Sequence, residues 1–394
     1  MTFFPLLKQK KVLLVSHNLT VTGAPLLLVE TGTVIAQSGA DVSVTCLAET
    51  EAGFPRLEEA GLKSVEVDDS FDLASQADLI ISNTAVSKEW VAKLLSLHSS
   101  AARKLIWWIH EIDMKTYGHG MEGLGQAAAT LFDSECSHRL WEQIGPLPAL
   151  SKAIYPGVKP ELLQEALRHR PKGYLQQLMK WRSGGPPTSR REEVRKRLGV
   201  RRDDFLIAMI GQYCGLKGQD LFVSAIGKML DSSPDLPLKI LLVGFADEVE
   251  RKTFLDKLSA SEIAAIGLNR AVTRVPYPSD YYLASDAFVM NTQPPGENFG
   301  LVSIEAMAFG LPVLGTDIGG TREIVIDGVT GLLHPTGEAG QAQLRTNIRS
   351  LIDDRGKARR LGKAGFKRVR SHFNVNRFYK EFSEVVERVM SGQS

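Results

Sequence analysis

Cysteine is scarce in this sequence: Cys46, Cys136 and Cys214 are its three, and they offer neither a metal-ligand spacing nor a disulfide framework. A reducing compartment is the simpler expectation. Long apolar runs are missing too. No stretch approaches the ~18 residues of a membrane span, and Met1 to Leu7 is too short for a signal segment before Lys8, Lys10 and Lys11. Surplus charge is absent: 47 Lys+Arg against 45 Asp+Glu leave a formal net charge of +2, with no overall pull toward nucleic acid. No Gly-Lys-Ser/Thr tripeptide marks a P-loop. No Asp-x-Asp cluster stands at a suitable loop, and no repeat of solenoid period is present. These absences lead us to expect a soluble, cytoplasmic chain with no transmembrane segment, no nucleic-acid partner, no metal and no cofactor.

What is present is an alternation of apolar runs with helical stretches, made twice. The 394 residues suffice for two domains. Val12–Val15, Val42–Leu47, Leu79–Ile81, Leu105–Ile109, Thr130–Phe132 and Ala153–Tyr155 read as strands. A polar, basic stretch follows, broken at Ser183-Gly184-Gly185-Pro186-Pro187-Thr188-Ser189. Leu206–Ile210, Lys239–Val243, Ala287–Met290 and Pro312–Leu314 then read as a second series. Near-continuous apolar strands between helices predict parallel sheets covered on both faces. The expectation is two tandem doubly wound α/β domains, 1–160 and 203–373, around a basic segment 161–202. An amphipathic tail, 374–394, carries Phe378, Phe382, Val385, Val386 and Val389 and is expected to return to the first domain.

The most informative stretch is Glu297-Asn298-Phe299-Gly300-Leu301-Val302-Ser303-Ile304-Glu305, two carboxylates with seven residues between them after a Gln293-Pro294-Pro295-Gly296 loop. The pattern predicts Glu297 at a helix N-terminus and Glu305 about two turns inside it. Helix N-termini favour phosphate, and Glu305 would lean back toward that end. Diphosphate on the amides and sugar hydroxyls on the carboxylates is the combination a nucleotide-sugar needs. On spacing alone, a solvated amphipathic helix carrying two acids reads equally well.

The stretch closely resembles the Glu–seven residues–Glu motif of retaining family-4 glycosyltransferases. The likeness continues through Ala306–Thr316, Gly319-Gly320-Thr321-Arg322-Glu323-Ile324-Val325 and Gly328-Val329-Thr330-Gly331-Leu332-Leu333. It covers nearly the whole chain, and Trp107-Trp108-Ile109-His110-Glu111 resembles a plant-type branch. The resemblance implies a GT-B fold, its two Rossmann-like domains facing across a cleft, and a nucleotide-sugar donor, UDP-glucose by default. It implies a hydroxyl acceptor (small molecule, glycan or lipid). Some plant relatives carry an N-terminal membrane anchor, a feature this sequence leaves open.

Residue by residue, the resemblance gives Glu305 the ribose and Glu297 the hexose, with Asn298, Phe299, Gly300 and Leu301 around the donor. In Gly211-Gln212-Tyr213-Cys214-Gly215-Leu216-Lys217-Gly218, Lys217 matches the lysine that neutralises the diphosphate. Gln212 stands where the family often has arginine, and an amide cannot offset charge. Gly244 would let the chain pass close to the nucleotide. Gly23, in the loop from His17 to Pro25, would face the donor phosphates. His110 matches a histidine that contacts the donor sugar, so the catalytic set is His110, Glu297 and Lys217, with His17, Thr22 and Glu111 on the acceptor side. Trp107 and Trp108 read as core, and Ser134 as structural. Basic clusters at Arg195–Arg202 and Lys357–Arg370 would suit peripheral contact with an anionic membrane, or form solvated helix faces. Other readings stay open: an inverting transferase with His17 as base, a GT-B-type epimerase or phosphorylase, and a nucleotide-sugar-binding protein without catalysis, which Gln212 motivates.

Overall fold

Strands that read as unbroken apolar runs lie inside parallel sheets whose two faces are both covered. The computed structural model describes residues 3–20, 23–48, 54–168, 189–275 and 278–393, with the side chains of 54–56 and 122 left aside. Two compact units emerge: Met1–Pro156 with Val375–Ser394, and Gly157–Asn374.

In the first unit seven strands run β1 (Lys11–Ser16), β2 (Asp41–Cys46), β3 (Lys63–Val65), β4 (Leu79–Asn83), β5 (Leu105–Ile109), β6 (Ala129–Phe132) and β7 (Ser151–Ala153). Their order is β3-β2-β1-β4-β5-β6-β7, and all neighbours pair in parallel. Alternation along β1 shows why such a strand has no polar face. Val12 and Leu14 join a core with Ile35 of α1 (Gly23–Ala36), while Leu13 and Val15 join another with Trp90 and Trp107. The carboxyl-terminal helix, Val375–Met390, buries Phe378, Phe382, Val385, Val386 and Val389 in the first of these cores. That stripe has helical spacing.

The second unit holds β8 (Phe205–Ile210), β9 (Leu238–Phe245), β10 (Ala271–Thr273), β11 (Ala287–Met290), β12 (Val313–Thr316) and β13 (Gly331–His334). The order is β10-β9-β8-β11-β12-β13, again all parallel. Helix α2 (Gln219–Ser232) follows β8 and helix α3 (Leu301–Ala308) follows β11. Three strands escape the sequence reading: β3, β10 and β13. Each is short and at a sheet edge, where one side needs no apolar neighbour.

The basic segment is partly structural. A helix, Arg190–Arg197, starts at a capping box between Ser189 and Glu192. Arg195 is buried; its guanidinium donates to the Ala284, Arg201 and Asp204 carbonyls at 2.9, 2.8 and 2.7 Å and reaches Asp286 at 3.1 Å. Arg191 reaches the same carboxylate at 2.6 Å. This part of the basic cluster therefore ties a helix to the rim of the second sheet. Residues 183–188 of the expected linker break, like Thr22, lie outside the described residues. Among the described residues, no helix is long and apolar enough to cross a membrane.

Candidate functional site

Open parallel sheets bind ligands at the carboxyl ends of the strands, where the strand order reverses. In the second unit that point lies between β8 and β11. The Gly211–Gly218 loop leaves β8, and Asn291-Thr292-Gln293 leaves β11. The two are joined directly: Gln293 N donates to the Leu216 carbonyl at 2.7 Å, and Asn291 Nδ2 to the Gly218 carbonyl at 2.9 Å.

On this platform Lys217 and Glu297 meet. The Lys217 ammonium donates to Glu297 Oε2, which also accepts from Thr292 Oγ1 at 3.3 Å. Both side chains remain partly open to solvent, at 29% and 18%. Gln212 is exposed; its carbonyl accepts from Gln219 Nε2 at 2.9 Å. Lys217 is the loop's one cationic residue, and its charge is met by Glu297.

The helix begins later than expected. Gly300 takes a left-handed conformation (φ 99°) as the N-cap, and α3 starts at Leu301. Only glycine holds such a φ without strain. Glu297 consequently sits in the preceding loop, and Glu305 is the fifth helical residue, just beyond one turn. The Glu297 loop is held from the other side by Gly320. Its N–H donates to the Glu297 carbonyl at 2.8 Å, and a Cβ there would lie 2.0 Å from the Asn298 carbonyl oxygen. Glu305 Oε2 accepts from the hydroxyl of buried Tyr282 at 2.8 Å. Burial and the adjacent carboxylate push that phenol well above its usual range.

Two expected donor residues have other duties. Gly244 (φ 140°) makes room for the backbone of Gly211, whose carbonyl oxygen would stand 1.9 Å from an added Cβ. The ring of Phe299 is buried and packs edge-on against Phe373 at 5.6 Å, so this residue can offer a ligand only backbone.

In the first unit the order reverses between β1 and β4. His17 follows β1, Asn83 ends β4 and Thr84 follows it, His110 and Glu111 follow β5, and Asp133 follows β6. They form one connected set. His110 Nδ1 lies 2.6 Å from Asp133 Oδ2, and Nε2 lies 2.6 Å from Asn83 Oδ1. Burial alone would depress the His110 ring, but the charges of Asp133 and Glu111 outweigh it and hold the ring above the ordinary imidazole value. His17 goes the other way, lowered by burial and by the nearby positive His110, and its Nδ1 lies 3.4 Å from Thr84 Oγ1. The Glu111 carboxylate turns inward, accepting the Ala85 and His110 amides at 2.9 and 3.1 Å, while burial pushes it above the usual range. Gly23 is exposed at the first turn of α1.

Thr84 has φ 73° and ψ 158°, a region that side-chain-bearing residues rarely occupy. The Thr84 N–H donates to the Trp108 carbonyl at 2.7 Å, and the Trp107 indole donates to the Thr84 carbonyl at 2.9 Å. Both tryptophans are buried, as expected of core residues, yet each N–H is committed: that of Trp108 donates to Asp133 Oδ1 at 2.9 Å. The sequence reading missed Asn83, Thr84, Asp133 and Tyr282. For the first three, a polar residue at or just after the end of an apolar strand was the available signal; for Tyr282, inside a short helix, none was. Among the described residues no group of three His, Cys, Asp or Glu is placed to hold a metal.

Residues 8–149 match the family described as Glycosyl-transferase family 4, and residues 190–368 match Glycosyl transferases group 1. The chain is 34% identical over 182 residues to the D-inositol 3-phosphate glycosyltransferase of Nocardia farcinica, spanning 44% of this chain and 38% of that protein. It is 35% identical over 150 residues to the enzyme of that name in Rhodococcus erythropolis, spanning 36% of this chain and 33% of the relative. The similarity thus covers well under half of these curated relatives. Among solved structures, Anabaena HepE in complex with UDP superimposes with a TM-score of 0.76 at 22% identity, covering 96% of this chain and 99% of that one. Sucrose-phosphate synthase of Thermosynechococcus elongatus gives 0.70 at 20% identity, covering 97% and 99%. At such identities the likeness speaks for fold: two Rossmann-like domains of the GT-B kind. With a family-4 first domain, a group-1 second domain and the Glu297–Glu305 pair at the strand-order reversal of the second sheet, the chain belongs to the family-4 glycosyltransferases of GT-B fold.

Proposed function

We propose that this protein is a retaining glycosyltransferase that moves a hexose from a nucleotide-diphosphate sugar, UDP-glucose by default, to a hydroxyl acceptor. The observation that carries this reading is the meeting of Lys217 with Glu297 at the strand-order reversal of the second sheet, in the loop that leads into the helix carrying Glu305. Lys217 and the first amides of α3 suit a diphosphate. Glu297 and Glu305 suit the hydroxyls of hexose and ribose. The solved HepE complexes with UDP and UDP-glucose support this choice of donor. The relatives' name supports a polyol phosphate as acceptor. The first unit supplies the acceptor side, with His17 as a half-buried polar group there.

Bond cleavage at the anomeric carbon leaves negative charge on the diphosphate. Lys217, which the donor must draw away from Glu297, meets that charge. A single preorganised donor of this sort contributes on the order of 3–4 kcal/mol in well-studied enzymes. No side chain is assigned as general base; the departing diphosphate takes the acceptor's proton on the same face, which preserves the anomeric configuration.

A second reading is binding without transfer. Gln212 favours it, because the loop then has one cation for a ligand carrying at least two negative charges. Incubation with UDP-glucose, UDP-N-acetylglucosamine and GDP-mannose separates the two, following thermal stability and nucleoside diphosphate release together. Transfer predicts a thermal shift with one donor, slow release, and loss of both in Glu305→Ala. A shift without release supports binding alone, and the anomer of any product, read by NMR, tests retention.

A further inference from the structure

A line of contacts crosses the carboxyl edge of the first sheet. Phe378 and Phe382 of the carboxyl-terminal helix pack on Trp108 at 5.7 and 5.2 Å. The Trp108 indole donates to Asp133, Asp133 accepts from His110, and His110 meets Asn83. Asn83 Nδ2 donates to the Ala24 carbonyl at 3.2 Å, beside Gly23.

The last bond fixes the orientation of Asn83. Were the amide reversed, its oxygen would face the Ala24 carbonyl oxygen, with no proton between them. The Asn83 oxygen therefore faces His110, and both ring nitrogens of His110 look at acceptors 2.6 Å away. A neutral imidazole has one N–H and one lone pair. Placed here, it would set a lone pair against an oxygen lone pair in a site where its side chain is 8% exposed. The doubly protonated ring satisfies both contacts. The titratable groups facing it are Asp133 from the end of β6, Glu111 from its own strand end, and His17 from the end of β1.

We propose that Asp133 and Asn83 are positioning residues that hold His110 as a permanent imidazolium at the carboxyl edge of the first sheet. The inference rests on the placement of His110 in the active centre and deepens it. A ring bonded on both sides in this way acts by charge and cannot serve as a base. Its natural complement is an anion, a phosphoryl oxygen or an oxyanion that forms during transfer. Asn83 carries a second duty, holding the first turn of α1 in register with that charge.

The test uses the full chain labelled with 15N-histidine, whose eight histidines give few signals. Long-range 1H–15N correlation reports the protonation of each ring nitrogen, and His110→Gln identifies the signal. Both His110 nitrogens should stay protonated from about pH 6 to about pH 8.5, across the range where an ordinary imidazole loses its proton. In Asp133→Asn the Trp108 contact keeps an acceptor, but the charge is gone, and His110 should titrate inside that window. Asn83→Leu should bring the ring into the window too and serves if Asp133→Asn does not fold; Asn83→Asp should keep the ring charged. With an active donor, kcat of Asp133→Asn should fall about 10-fold across the window while the wild-type value changes less than about 2-fold. One unprotonated His110 nitrogen in the wild type near pH 7 would overturn the proposal. A charged His110 without turnover on any donor would leave it standing and remove the transferase reading. A neutral His110 with turnover would do the reverse.

Discussion

Tyr282, fully buried, gives its hydroxyl proton to Glu305 at 2.8 Å and stacks its ring on Phe309 at 5.5 Å. The contact fixes one carboxylate oxygen of Glu305 and so sets the direction of the other. Tyr282→Phe keeps the ring and removes only the bond, so that a partly buried carboxylate oxygen of Glu305 loses its phenol donor. The expected cost is about 1–3 kcal/mol, with a melting temperature lower by several degrees. The thermal shift produced by the nucleotide-sugar should also shrink. An unchanged shift would mean that Glu305 keeps its aim without Tyr282.

Gly320 offers a purely steric test of the Glu297 loop. Its backbone is ordinary (φ −66°), so alanine is conformationally acceptable there. What alanine lacks is room, because its Cβ would stand 2.0 Å from the Asn298 carbonyl oxygen and 2.9 Å from Phe299 Cα. Gly320→Ala must therefore push residues 297–299 outward, at roughly 1–3 kcal/mol of overpacking. Donor affinity should fall at least about 10-fold, the equivalent of about 1.4 kcal/mol. Calorimetric titration with nucleoside diphosphate and with the full nucleotide-sugar checks this. Loss confined to the sugar-bearing ligand would place the damage at Glu297, while equal loss for both would place it at the amides of α3.

Much of this was legible in the sequence, for a physical reason. A buried parallel strand must be apolar on both faces, so β1, β5, β8 and β11 announce themselves. The edge strands β3, β10 and β13 have weaker signals because one side of each needs no partner. The Glu297–Glu305 spacing was visible, but the helix start was not, since Gly300 serves as a left-handed cap and delays it to Leu301. Asp133 and Asn83 were hidden for another reason. Asn83 is the last residue of β4 and Asp133 lies one residue beyond β6, and each acquires meaning only when β4, β5 and β6 lie side by side and bring it to His110. Spacing along the chain carries helix-face relations, whereas relations across a parallel sheet depend on strand order.

Gln212→Arg should strengthen diphosphate binding. The exposed side chain has room for a guanidinium, and Lys217 alone now balances both Glu297 and any incoming anion. An exposed cation at this distance contributes modestly, so about a 3- to 10-fold gain in affinity is expected. The gain should fall as salt is raised. In Lys217→Ala the loss should exceed that gain, because Glu297 would be left to repel the diphosphate. No gain from Gln212→Arg in low salt would show that the diphosphate lies away from this loop.

His17 and His110 should bend the pH dependence of stability in opposite directions. His110 is held above the ordinary imidazole value in the folded chain, so its contribution is complete below about pH 6.5 and fades as pH rises through the folded value. His17 is held below that value. Above about pH 6.5 it costs nothing, but as pH falls the unfolded chain takes up a proton that folded His17 refuses, and stability drops. The buried Glu111, raised in the folded state, favours folding only at acid pH and so opposes the His17 effect there. His334 in the second unit, also lowered by burial, adds to the acid-side loss. Single-site differences remove these other contributions. The stability of wild type minus that of His17→Gln should decline below about pH 6.5 and be flat above it. The same difference for His110→Gln should be flat below that pH and decline above it. Thermal unfolding across the range measures both curves. If the two curves bend the same way, the histidines do not carry opposite charge states, and the fixed imidazolium beside a neutral His17 is wrong.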